Sequence, residues 1–81
     1  MTEKEFLKIA PTQCIKVYYY LKLNKGYTGI LLYFSQCIYI SVPTLINAIK
    51  WLKEHNMIDY KSTGGKHKIR TYWVTDERFW K

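Results

Sequence analysis

The sequence has few of the residues that staple, break or neutralise a small chain. Its 81 residues include two cysteines, two prolines and four glycines. Two cysteines are too few for the disulfide framework of a small secreted domain. Cys14 and Cys37 are each followed by Ile, and both are expected as reduced core residues. No apolar run approaches the roughly 18 residues of a membrane span. The longest runs only from Gly29 to Phe34. The opening Met1-Thr2-Glu3-Lys4-Glu5 is not a basic stretch followed by an apolar block, so no signal peptide is expected. The chain is expected in the cytoplasm, away from membranes.

Acidic residues are also scarce. Six Asp and Glu stand against 13 Lys and Arg, for a formal net charge of +7. No acid occurs from Pro11 through Lys53, a stretch that carries Lys16, Lys22, Lys25, Lys50 and Lys53. A second basic cluster follows at Lys61, Lys66, Lys68 and Arg70. So few carboxylates leave no pair placed for acid–base work. Asp76 and Glu77 are adjacent, so they diverge. His55 and His67 have no Cys or carboxylate at metal-ligand spacing. The phosphate-binding pattern Gly, four residues, Gly-Lys-Ser/Thr is absent. We expect no enzyme activity, no catalytic residues, no metal and no cofactor. Such a positive balance favours an anionic partner, chiefly nucleic acid. A solvated lysine-rich surface is the plainer alternative, and the long acid-free span favours the former.

What the chain has in abundance is apolar and aromatic material, at 48% and 17%. That suffices for one small domain, which buries roughly 60% of its unfolded surface. We read residues 1–81 as that domain: 1–10 as an N-terminal extension, 12–75 as its core and 76–81 as a tail. Thr2 caps a short helix through about Ile9, with Glu5 at the capping-box position. Pro11 breaks it and opens a second helix, in which 15, 18 and 21 or 22 share a side. Asn24-Lys25-Gly26 stops that helix. Tyr27-Thr28 is a very short strand, Gly29 to Gln36 a short buried helix, and Cys37 to Ile40 a turn. Ser41 caps the clearest helix, with Pro43 in its first turn. Its stripe is Val42, Leu45, Ala48, Ile49 and Leu52, and His55-Asn56 ends it with a left-handed turn. Ile58 to Tyr60 alternates as a strand, Ser62 to Gly65 turns, and Ile69 to Thr75 returns as a β-branched and aromatic strand. The tail is expected to dock through Phe79 and Trp80.

The order helix, helix, turn, helix and basic hairpin resembles a winged helix-turn-helix domain. The resemblance rests on Ile40-Ser41-Val42-Pro43-Thr44-Leu45 and on the run from Ala48 to Ile58. Two positions depart from the family pattern: Tyr39 stands where Gly often precedes Ile-Ser, and Asn56 stands at the exit glycine. The likeness implies an α+β, mostly helical fold, a three-helix core plus a β-hairpin wing. It implies a DNA-binding protein in replication initiation or transcription control. The opening Phe6-Leu7-Lys8-Ile9 and the stretch Ile15 to Leu21 are also similar to the N-terminal winged helices of plasmid and phage replication initiators.

Stepping 100° per residue from Leu45 points Asn47 and Glu54 away from the core. Lys50 lies beside them, and Thr44 and Trp51 lie on one flank. In a helix-turn-helix the outward face enters the major groove, so Thr44, Asn47 and Lys50 are the expected base and phosphate contacts. Lys66, Lys68 and Arg70 of the hairpin are the expected wing contacts. The expected partner is double-stranded DNA, with single-stranded DNA as the other nucleic-acid form. Trp51 is large and apolar for a position outside the core stripe, and Ile46 on the opposite flank is similar. Both are expected to touch a protein, either a second copy in a homodimer or a replication protein, with cover by the first helix or by the tail around Trp80 as the alternative. That pair carries the rival reading, an accessory subunit that binds a polymerase or helicase and raises its nucleic-acid affinity.

Overall fold

The computed structural model describes residues 1–62 and 69–81. Among these, four α-helices and a three-stranded antiparallel sheet form a mostly helical α+β fold, the class expected from the sequence. The helices are α1 (Glu3–Ile9), α2 (Thr12–Leu23), α3 (Leu31–Cys37) and α4 (Val42–Glu54). The strands are β1 (Tyr27–Gly29), β2 (Ile58–Ser62) and β3 (Arg70–Val74), followed by a short 3₁₀ turn over Glu77–Phe79. No single helix among the described residues is long and apolar enough to cross a membrane.

Capping explains where the helices begin. Thr2 accepts from the Glu5 amide at 3.2 Å, and the Glu5 carboxylate reaches back to the Thr2 amide at 3.4 Å, completing the capping box. Ser41 does the same for α4, accepting from the Thr44 amide at 3.3 Å. One device ends three of the helices. Lys25, Tyr39 and Asn56 adopt φ values of 55°, 56° and 57°, in the left-handed region. Each is followed by a residue whose amide bonds back to the helix: Gly26 to Leu21, Ile40 to Ser35 and Met57 to Leu52. Asn suits that conformation. Tyr does not, so Tyr39 holds it at a cost where the resembled family often has Gly.

The core forms where α2, α4 and the inner face of the sheet meet. Val17, Tyr18 and Leu21 of α2 and Leu45, Ala48 and Leu52 of α4 are buried against Phe34, Met57, Ile58 and Tyr72. The buried ridge of α2 is Cys14, Val17, Tyr18 and Leu21: Tyr18 and Leu21 of the expected side are inside, while Ile15 is half-buried and Lys22 is exposed. The sheet order is β1-β3-β2. Tyr72 sits opposite Tyr27 on one side and Tyr60 on the other. Gly26 lies tight against this sheet: a Cβ there would stand 2.7 Å from the Tyr72 carbonyl oxygen.

Two expectations are corrected. α3 is amphipathic, not buried: Phe34 and Ser35 are inside, while Leu32, Tyr33 and Gln36 face solvent. Seven residues make about two turns, and only one side of so short a helix meets the core. Cys37 ends up exposed for the same reason, while Cys14 is a buried free thiol whose pKa burial pushes up to about 11.

The two ends of the chain close over α4. Phe6 of α1 is fully buried among the rings of Tyr18, Trp51 and Trp80, at centroid distances of 5.0, 6.0 and 6.4 Å. Glu3 accepts from the Tyr18 hydroxyl at 2.8 Å and pairs with Lys22 at 2.9 Å, tying α1 to α2. Trp80 docks and donates from its indole to the Thr75 carbonyl at 3.2 Å, whereas Phe79 stays 56% exposed.

Candidate nucleic-acid interface

α4 carries the expected contact residues. Its cap fixes its first turn, and its stripe fixes which side is left outside. Leu45, Ala48, Ile49 and Leu52 are buried, while Asn47 and Lys50 are exposed. Thr44 is half-buried, and its hydroxyl oxygen accepts from the Ser41 hydroxyl at 2.7 Å. Lys50 has no hydrogen-bond, ion-pair or ring partner among the described residues. The axes of α3 and α4 turn by 94° across residues 38–41.

The strand pairing brings Arg70 beside α4. Residues 58, 60 and 62 of β2 and 70, 72 and 74 of β3 alternate onto the side facing the helices. There the Arg70 guanidinium lies 5.0 Å from the centre of the Tyr60 ring. Lys53 approaches the same ring at 5.8 Å and is held by Asp59 at 2.7 Å. That ion pair, with the Tyr60 amide, keeps the Asp59 carboxyl below the ordinary carboxylate range. Tyr72 lies next to Tyr60, fully buried, and its hydroxyl has no hydrogen-bond partner among the described residues. Burial raises its pKa, and the nearby Arg70 charge offsets part of that rise.

Lys50, Lys53, Glu54 and Arg70 line one cavity of about 220 Å³ together with Leu31, Ile46, Ile49 and Tyr60. Thr44, Asn47 and Trp51 line a second, of about 380 Å³, on the flank facing the start of α2. So Lys50 and Arg70 share one groove, and Thr44 and Asn47 share the other. Lys66 and Lys68 lie outside the described residues. Lys53 and Tyr60 were not singled out from the sequence, although the alternation of Ile58 and Tyr60 already put that ring on the inner face.

Charge is laid out unevenly over this surface. No charged residue occurs from Gly26 through Ile49. β1, α3, the turn and the first half of α4 are therefore neutral, and the next cation after Lys25 is Lys50. Ile46 is 46% exposed and Tyr39 is 92% exposed on the neutral part. Trp51 is half-buried: the Phe6 ring lies at 6.0 Å and the His55 ring at 3.9 Å. Part of the surface expected to await a partner is thus covered from within the chain.

No protein-family model matches the chain, and no curated protein or solved structure matches it either.

Proposed function

We propose that the chain is a winged helix-turn-helix domain that binds double-stranded DNA, with α4 in the major groove and the β2–β3 hairpin as the wing. The observation that carries this reading is the α3–α4 corner. Two helices turned by 94° across a four-residue connection have the geometry of a helix-turn-helix. An antiparallel hairpin follows the second helix and sets Arg70 beside Lys50. In this mode Asn47 hydrogen-bonds a base edge, Thr44 donates beside it, and Lys50 and Arg70 neutralise phosphates. The neutral first half of α4 then reads bases without phosphate contacts of its own, and affinity comes from its second half and the hairpin. A duplex selected from a random pool tests this directly. Asn47→Ala costs about 1–3 kcal/mol on the selected site and less on random duplex, while Arg70→Gln weakens both alike. Equal losses from Asn47→Ala on every sequence would overturn base reading by α4.

A second reading has its own support. The neutral, partly apolar surface at Leu32, Tyr33, Tyr39 and Ile46 is unusual in a chain of net charge +7. It suits an accessory subunit that docks on a replication enzyme and lends it positive charge. That reading expects co-purification with such an enzyme and only weak DNA binding by the isolated chain.

A further inference from the structure

The groove between α4 and the sheet joins an apolar wall to cations that are not all spoken for. Lys53 is neutralised by Asp59 at 2.7 Å. Arg70 rests on the Tyr60 ring rather than on a carboxylate, and Lys50 has no partner among the described residues. Glu54 is the one carboxylate lining the cavity. Counting Lys53 and Asp59 as neutral together, the described residues that line the groove keep one net positive charge. Leu31, Ile46 and the Tyr60 ring supply its apolar side. A dry cavity of about 150 Å³ holds a benzene ring, and drug-sized ligands need roughly 300 Å³ or more. At about 220 Å³ this cavity fits one ring with a short arm.

We propose that this groove binds a small aromatic monocarboxylate, its ring against Ile46, Leu31 and Tyr60 and its carboxylate between Lys50 and Arg70. The apolar wall alone would take a neutral ring, and the cations alone would take any anion. Their combination selects a molecule with both. The carboxylate also restores local neutrality, which a dianion would overshoot. The binding stands independently of the DNA reading. Its consequence rests on that reading: the ligand takes up two of the cations assigned to phosphates, so it weakens DNA binding.

The test uses phenylacetate as probe, with phenylacetamide and acetate as controls, followed by amide chemical shifts of the full chain. Phenylacetate should give saturable shifts centred on Ile46, Lys50, Tyr60 and Arg70. Phenylacetamide should bind at least about tenfold more weakly, as loss of a charge-assisted contact implies, and acetate should not saturate. Lys50→Gln and Ile46→Ser, both at exposed positions, should each weaken phenylacetate at least about fivefold while leaving the melting temperature within about 2 °C, since exposed substitutions change stability little. Shifts elsewhere on the surface, equal binding of the amide, or indifference to both substitutions would overturn the proposal. So would binding of an acidic peptide bearing one Phe where phenylacetate gives no saturable shift, because the groove would then be a peptide site. Phenylacetate binding with no duplex binding under any salt would leave this site standing and remove the DNA reading. Duplex binding with no phenylacetate binding would do the reverse.

Discussion

Removing the Trp51 side chain separates two accounts of why a large ring sits beside the core stripe of α4. The ring is half-buried, with Phe6 at 6.0 Å on one side and His55 at 3.9 Å on another. A fully buried Trp or Phe truncated to Ala costs about 3–5 kcal/mol. Half that burial gives about 2 kcal/mol for Trp51→Ala. For a domain of this size each kcal/mol shifts Tm by roughly 4–8 °C, so Tm should fall by roughly 8–16 °C. The cost is shared with α1. A seven-residue helix does not persist alone, and Phe6 is its only buried side chain. A double-mutant cycle between Phe6→Leu and Trp51→Leu should therefore return a coupling of about 0.5–1.5 kcal/mol, the range for aromatic pairs. Calorimetry gives the melting temperatures, and sedimentation velocity gives the mass. A variant that keeps its melting temperature but loses a dimer or a bound protein would refute an intramolecular cover.

Three further outcomes are expected. Tyr39→Gly relieves a left-handed tyrosine that makes little contact, so chemical denaturation should show a gain of about 1 kcal/mol; a loss would mean the exposed ring has a structural contact. Glu3, held below its ordinary value of 4.5 first by Lys22 and then by Tyr18, stabilises the fold above the unfolded value and loses that contribution as pH falls through the folded one. Glu3→Gln should therefore melt lower than the parent above about pH 5 and converge with it in acid, and parallel curves of Tm against pH would contradict this. Gly26→Ala meets the Tyr72 carbonyl at 2.7 Å from a backbone of φ 109°, so it should cost about 1–3 kcal/mol by denaturant titration; a neutral result would show that β1 is not held against β3.

The parts of the fold legible in the sequence are those written locally. Ser41, Pro43 and the four buried positions of α4 lie within a dozen residues, and Asn56 takes the left-handed turn its side chain tolerates. α2 was harder because Tyr18, Tyr19 and Tyr20 look alike in composition, yet only Tyr18 is buried. The same ambiguity hid the exposed side of α3, where Leu32 and Tyr33 read as core residues. The short strand at Tyr27-Thr28 was legible, but contacts between distant residues left no periodic trace: neither the pairing of Tyr27 with Tyr72 nor the closure of the N-terminal helix on α4 through Phe6 and Trp51 could be read locally. For the site, the outward direction of Asn47 and Lys50 followed from helical spacing alone. The meeting of Lys50 with Arg70, and the ordering of Lys53 and Arg70 around Tyr60, depends on the β2–β3 register and on how the sheet packs against α4.

Duplex binding as a function of salt tests the central claim most directly. If Lys50, Arg70 and the hairpin lysines neutralise about 4–6 phosphates, log affinity for a random duplex should fall against log salt with a slope of about −4 to −5. Lys50→Gln and Arg70→Gln should each make that slope shallower by about 1. No binding to any duplex at low salt, or a slope that neither substitution changes, would contradict a DNA-binding role for this face.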